Sequence, residues 1–242
     1  MVVEEVVDEH NQLVIRRITV GPLETNCYAL HAPRSRHAIL VDPGGEPDAI
    51  LDAVTDLQVS TVVLTHTHWD HVEAVAQVVD ATGAPVAAHL ADTGVWQHER
   101  RHLESHGHWD AGTATAELLH AGCPPHPTPG QLLWDGVIDI ALHDGEALTA
   151  GPLDITVAHT PGHTPGGITL TTPGHAFTGD TLFPGGPGLT GWPFSDFPTI
   201  ISSIRSKLLT LPDDTLVHPG HGNDTRIGDE RPDLQTWIRR GW

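Results

Sequence analysis

One stretch of this chain, Thr65-His66-Thr67-His68-Trp69-Asp70-His71, places four potential metal ligands within six residues. It follows Thr61-Val62-Val63-Leu64, an apolar β-branched run that reads as a buried strand. A strand therefore delivers the ligands into a loop. On an extended backbone alternate side chains share a side, so His66 and His68 can reach one cation, while a turn at Asp70-His71 aims two more ligands elsewhere. That arrangement points to two metals side by side.

With 19 His in the chain, such a cluster also arises by composition, so the rest of the sequence has to support it. Three further candidates do. His163 lies in Pro161-Gly162-His163-Thr164-Pro165-Gly166, Asp180 in Thr178-Gly179-Asp180-Thr181, and His221 in Pro219-Gly220-His221-Gly222. Each sits beside a strand-like run among Gly and Pro, where loops present functional groups from a rigid scaffold. A fourth, Asp42, ends the run Ala38-Ile39-Leu40-Val41-Asp42 ahead of Pro43-Gly44-Gly45.

The elements that must position these groups follow from periodicity. Strands are expected at 13–20, 27–31, 38–42, 60–64, 85–89, 137–142, 153–159, 167–171, 175–178 and 215–218. Helices are expected at 46–57, from Asp70 to Thr82 and at 199–209, with a Gly- and Pro-rich loop from Phe183 to Pro198. Residues 91–130 break the pattern and read as a helical insertion. It has one helix over 93–105, a second over 113–120 and a proline-rich return. Within it His98, His102 and His106 share one helical face, a third metal site on one reading and a solvated face on the other; no carboxylate or cysteine completes a site there, which favours the solvated face. The order fits an α/β chain of one domain, residues 1–242, folded as an αββα sandwich of two mixed β-sheets flanked by helices.

Composition sets the outer limits. Twelve basic against 31 acidic residues give a formal charge of −19, which argues against nucleic acid and anionic membranes as partners. Cys27 and Cys123 lack metal-ligand spacing and indicate no disulfide framework. The first residues show no signal-peptide pattern and no apolar run approaches a membrane span, so a cytoplasmic protein is expected.

Taken in order, Asp42, His66-x-His68-x-Asp70-His71, His163, Asp180 and His221 resemble the metallo-β-lactamase superfamily over nearly the whole chain. The stretches 161–166 and 177–183 are similar to the glyoxalase II branch, and 219–231 to its short bacterial members. The resemblance implies that His66, His68 and His163 hold one metal, that Asp70, His71 and His221 hold a second, and that Asp180 bridges them. Asp42 would orient a ligand imidazole. Two divalent ions are implied, zinc first and iron or manganese as alternatives, with Asp70 and Asp180 positioning a metal-bridging hydroxide.

The implied activity is thioester hydrolysis on a small molecule. A lactonase or esterase using the same site, a persulfide dioxygenase with one iron and a metal-binding sensor without catalysis are the alternatives. Two features separate the chain from full-length glyoxalase II enzymes. It ends about twenty residues after His221, and Pro184-Gly185-Gly186-Pro187-Gly188-Leu189 replaces a Gly-Cys-Gly-Arg-like run. A carrier other than glutathione is therefore expected. The insertion is expected to cover the metal cleft, with Trp96, Trp109 and Phe183 as substrate-cleft residues.

Overall fold

Apolar, β-branched runs build two sheets in the computed structural model, which describes residues 2–106 and 132–241. The first sheet orders its strands as in the chain: β1 (Val2–Asp8), β2 (Leu13–Val20), β3 (Thr25–His31), β4 (His37–Val41), β5 (Gln58–Val63), β6 (Val86–Ala88) and β7 (Ile140–Ala141). It is antiparallel from β1 to β4 and parallel from β4 to β7. The second contains β8 (Ala147–Ala150), β9 (Leu153–His159), β10 (Ile168–Thr172), β11 (His175–Gly179), β14 (Leu216–Pro219) and β15 (Thr225–Arg226), in the order β15-β14-β11-β10-β9-β8. It is antiparallel except between β11 and β14. A small hairpin, β12 (Leu182–Phe183) with β13 (Gly186–Pro187), stands apart.

Side-chain alternation divides these strands between separate cores. Tyr28, Leu30, Ile39, Val41 and Val63 point between the sheets and meet Leu153, Ile155, Val157, Leu170 and Phe177. Their neighbours Cys27, Ala29, Leu40, Val62 and Leu64 point outward and are covered by helices. These are α1 (Pro47–Ala53), α2 (Trp69–Val72), α3 (Val75–Thr82) and α4 (Thr93–His106). Burial on both faces is why the strands read as continuous apolar runs rather than alternating ones. On the far side, Val217 packs with Ile200 and Ile201 of α5 (Phe197–Ser203), Ile204 and Leu208 of the π-helical turn that prolongs it, Ile227 of α6 (Ile227–Glu230) and Trp237 of α7 (Leu234–Arg240). The layers are those of the expected αββα sandwich.

Several boundaries differ from expectation. Strand β1 is an additional edge strand whose Glu4 and Glu5 lie opposite Arg17 and Arg16 of β2 and pair with them, so cross-strand charge fixes its register. The helix expected from Asp70 to Thr82 is broken, because Ala74 donates its N–H to the Pro43 carbonyl at 3.0 Å instead of to the preceding turn. Only Ile140–Ala141 of the run 137–142 pairs as a strand, while β8, α6 and α7 add to the expected set. Within the insertion, α4 matches the first helix; the second helix, the proline-rich return, Trp109 and Cys123 lie outside the described residues. Cys27 is buried and free. Among the described residues no helix is long and apolar enough to cross a membrane.

Trp237, 1% exposed, makes α7 part of the outer core. Trp237→Ala should therefore cost about 3–5 kcal/mol, as for other buried Trp truncations. Urea unfolding checks this, and an unchanged midpoint would mean that the last helix is not needed for the core.

Candidate metal centre

Five chain segments meet at one end of the sandwich, each just past a strand. The β4 end supplies Asp42, the β5 end His66 to His71, the β9–β10 connection His163, the β11 end Asp180 and the β14 end His221. Close backbone approach makes this possible. A Cβ on Gly44 would lie 1.9 Å from the Asp70 carbonyl oxygen, and one on Gly220 would lie 2.2 Å from Asp180 Oδ1 and 2.7 Å from His71 Cε1. Only glycine fits at either position.

Two groups of three side chains bring their ligand atoms within 4.8 Å of one another, His66 with His68 and His163, and Asp70 with His71 and His221. In the first, His163 Nε2 is 3.0 Å from His68 Nδ1. In the second, His71 Nε2 is 3.2 Å from His221 Nε2, and Asp70 Oδ2 is 3.2 Å from His221 Nε2. Asp180 stands between the groups, with Oδ1 3.5 Å from His71 Nε2 and Oδ2 3.5 Å from His163 Nε2. Ligand atoms about 2.0–2.1 Å from a tetrahedral ion are themselves about 3.3 Å apart, so these separations suit metal binding.

The outer hydrogen bonds decide what the inner atoms are. His71 donates Nδ1–H to Asp42 Oδ2 at 2.9 Å, His163 to the Leu189 carbonyl at 2.7 Å and His221 to the Leu23 carbonyl at 2.8 Å. Each neutral ring then presents a bare Nε2 lone pair inward, as metal-binding imidazoles do. His66 Nε2 and Asp180 Oδ1 are buried with no hydrogen-bond partner. Converging acceptors without donors are costly unless a cation lies among them, so the residues fit a metal pair. Asp42, His66 and His71 form a third close group, but both Asp42 oxygens are already engaged. They accept from the Thr65 N–H at 2.7 Å, the Thr65 hydroxyl at 2.6 Å and His71. Asp42 also holds a left-handed backbone, φ 49°, a strained conformation of the kind found at functional sites.

Electrostatics separates the two groups. Burial, reinforced by neighbouring imidazoles, holds His66 well below the ordinary imidazole range and pushes His68 down to about 3; burial also lowers His163. For His71, burial is outweighed by Asp70, Asp180 and Asp42, which raise it; for His221 it is outweighed by Asp180 and Asp70. Burial likewise opposes the charge on Asp70 and Asp180, yet the imidazoles bring Asp70 down to about 2 and Asp180 well below the carboxylate range. The first group is a set of neutral donors, and the second favours positive charge.

A cavity of about 1070 Å³ opens beside both groups, lined by His68, Asp70, His163, Asp180 and His221. Helix α4 contributes Val95, His98, Glu99 and His102, one face at helical spacing. His98 and His102 thus line the cleft, with His98 exposed to solvent as a solvated face requires and His102 half-buried, and they belong to no close ligand group among the described residues. Phe183 lines the cavity as expected. Trp96 does not. It is 3% exposed in the core and packs on Trp134 at 5.5 Å between ring centroids. Among the described residues Trp69 and Trp192 line the cavity, and Trp192 stands edge-on to His163 at 5.2 Å and to His68 at 5.8 Å. Its place in a Gly- and Pro-rich loop gave no periodic signal; its chain distance after Asp180 was the available clue.

Asp92, also not anticipated, is buried and ties two ligand loops together. It accepts from the Thr67 N–H at 3.1 Å, the Thr164 hydroxyl at 2.9 Å and the Gly166 N–H. Burial pushes its carboxyl up to about 6 against those bonds.

Comparison with known proteins identifies the family of the chain. The family model described as metallo-beta-lactamase superfamily matches residues 20–221. The hydroxyacylglutathione hydrolase GloC of Haemophilus influenzae is 33% identical over 227 residues, 90% of this chain and 94% of that protein. Among solved structures, the BLEG-1 B3 metallo-beta-lactamase is 31% identical with a TM-score of 0.71, covering 90% of this chain and 96% of its own. TTHA1623 in a di-iron-bound form is 32% identical with a TM-score of 0.68, covering 89% and 96%.

Gly220→Ala places a methyl group where Asp180 and His71 meet. Metal analysis of the purified variant should show at least one ion fewer per chain than the parent, with an unchanged far-UV circular dichroism spectrum. Equal metal content in the two proteins would place the metals elsewhere.

Proposed function

Because the chain belongs to the metallo-β-lactamase superfamily, we propose that it is a dinuclear metal-dependent hydrolase, acting on thioesters in the manner of glyoxalase II. The observation that carries the dinuclear reading is the Asp180 carboxylate, which turns one oxygen to His71 and the other to His163. We take the chain as one domain built around that site. His66, His68 and His163 would hold the first ion and Asp70, His71 and His221 the second, with Asp180 placed between the two groups. Zinc is the first choice for an imidazole-rich set; iron and manganese follow, iron being the metal of the TTHA1623 structure. When bound, the ions supply Lewis acidity and ionise a water near neutral pH.

The chain's own groups do the rest. Asp42 keeps His71 in the tautomer that turns Nε2 inward, and the Leu189 and Leu23 carbonyls do the same for His163 and His221. Asp70 and Asp180 would offset part of the metal charge and accept a hydrogen bond from the water to be activated. Phe183, Leu189, Trp192 and Phe194 give the cleft apolar walls that exclude bulk water and receive an acyl group. No side-chain nucleophile is required, and Cys27 is buried in the core.

The acyl carrier is a thiol with little negative charge. Among the described residues lining the cavity, Arg240 is the one Lys or Arg, and Glu24 and Glu99 also line it. Glutathione brings two carboxylates that need cationic partners. The similarity to GloC favours glutathione, so the carrier is the point to measure.

Asp180→Ala should release one ion per chain and lower kcat/KM at least about 100-fold, a loss on the scale of a transition-state electrostatic contact. One ion in both proteins would overturn the dinuclear site. A panel of thioesters, lactones, persulfides and a β-lactam separates the reaction classes, with thioesters expected fastest. For one acyl group, glutathione should give a lower kcat/KM than an uncharged thiol, and added salt should narrow the gap by screening repulsion. A preference for the glutathione ester that weakens with salt would instead reveal a cationic clamp.

A further inference from the structure

Behind the cleft, on the second sheet, two buried histidines lie in neighbouring parallel strands. His175 begins β11 and His218 lies in β14, 2% and 5% exposed. His175 Nδ1 is 2.9 Å from His218 Nε2, the ring centroids are 5.3 Å apart and the planes differ by 14°, so the rings lie edge to edge. The outer nitrogens each meet a carboxylate. His175 Nε2 is 3.0 Å from Asp8 Oδ2, and His218 Nδ1 is 3.0 Å from Asp224 Oδ2.

Counting protons along this line gives its charge. An ionised carboxylate only accepts, so His175 Nε2 and His218 Nδ1 must each carry a hydrogen. The nitrogen-to-nitrogen contact needs a third. Two neutral imidazoles supply only two, and a neutral pair leaves one contact with acceptor facing acceptor. We propose that His175 and His218 together hold one excess proton between Asp8 and Asp224, and that this charged pair positions the loop carrying His221.

The placement of the line supports that role. His218 and Asp224 bracket residues 219–223, so their contact closes the loop at its base. Neutral hydrogen bonds shape the interior of the loop. Tyr28 Oη donates to the Pro219 carbonyl at 2.7 Å, Asn26 Nδ2 donates to the Gly222 carbonyl at 3.0 Å, and the Asn26 N–H donates to the Gly220 carbonyl at 2.7 Å. The groups facing the pair are Asp8 from β1, Arg17 from β2, Tyr28 from β3, Phe177 from β11 and Asp224 from the loop itself. Tyr28 and Phe177 contact the His218 ring. Arg17 lies 3.1 Å from Asp224 and also pairs with Glu4, so its charge is met by two carboxylates.

The sharing of the proton is unequal. Burial lowers His175, which favours the arrangement in which His175 is neutral with its hydrogen on Nε2 toward Asp8. The Asn11 N–H and His175 hold Asp8 below the carboxylate range, and His218 does the same for Asp224 against burial. Both carboxylates therefore stay ionised at neutral pH. The sign of the pH effect follows. While the folded pair holds a proton that the unfolded histidines lack, stability falls as pH rises, and the clamp is lost once the excess proton leaves.

Two metal-independent measurements test this, with metal release as a third that rests on the proposed dinuclear site. Long-range proton–nitrogen NMR on ¹⁵N-histidine protein at pH 7, with and without added zinc, should show one ring of the pair protonated at both nitrogens and the other at Nε2 alone. Two neutral rings would overturn the proposal. In Asp8→Asn and His175→Gln the doubly protonated ring should disappear. The Gly220 amide, bonded to the Gly179 carbonyl at 2.9 Å, should then exchange about tenfold faster than in the parent at the same pH. Transfer of the second ion to a chelator should accelerate by about the same factor, the low end of effects from residues that hold metal ligands in place. A charged pair with unchanged amide exchange in both variants would refute the positioning role. Failure to take up a second ion would count against the dinuclear site alone.

Discussion

Two imidazoles and two carboxylates crowd together at the centre of this molecule, and the rest of the structure holds that arrangement in place. His71, His221, Asp70 and Asp180 bring nitrogen and oxygen atoms within 3.2–3.7 Å of one another. Such a cluster opposes folding unless protons or metal ions lie among its atoms, since buried acceptors and charges lose their water. The sandwich makes the cluster possible by ending five segments at one edge, and their backbones cannot relax without disturbing sheets that are buried on both faces.

The fixing is done by groups one step further out. Asp42 links the end of β4 to Thr65 and His71, and Asp92 links the Thr67 segment to Thr164 and Gly166. Each carboxylate belongs to a different connection from the residues it binds, so the ligand loops constrain one another rather than depending on their own turns. Carbonyl acceptors from Leu23 and Leu189 extend the same control to His221 and His163. Both carbonyls come from residues whose side chains line the cleft. The cleft wall and the orientation of the proposed ligands therefore share the same short segments, so a change in the wall would reach the proposed metal site.

How much of this was legible in the sequence depended on whether the signal was local. Strand ends with His and Asp among Gly and Pro were visible because chemistry and turn residues occur together there, and the two-layer order followed from the apolar runs. Strand β1 was less visible because its acids are paired along the chain, Glu4 with Glu5, and acquire meaning only against Arg16 and Arg17. Trp96 and Trp192 show the same limit more sharply. Both are tryptophans near Gly or Pro, but Trp96 sits at the core-facing spacing of α4 with Leu103, whereas Trp192 is brought to His163 by a loop whose path only the tertiary fold defines. The proton line through His175 and His218 was equally hidden, since its four members come from β1, β11, β14 and a loop.

Charge then has to be considered at two ranges. Imidazoles make up most of the proposed ligands, and Asp70 and Asp180 are the two carboxylates among them, so two bound dications would leave the site locally positive. The chain as a whole carries −19. Fields from the exposed acids are screened over about 10 Å at ordinary ionic strength, whereas those between partly buried groups are screened much less. A reacting carbonyl inside the cavity is governed by the local positive field, and a carrier still outside it by the negative surface. The same molecule can thus attract the polarisable end of a substrate while disfavouring an anionic tail. The cavity of about 1070 Å³ walled by Phe183, Leu189, Trp192 and the α4 face is where the two regions meet. The apolar wall therefore contributes to electrostatic selection as well as to fit, because it keeps the ligand-side field from being shared with solvent.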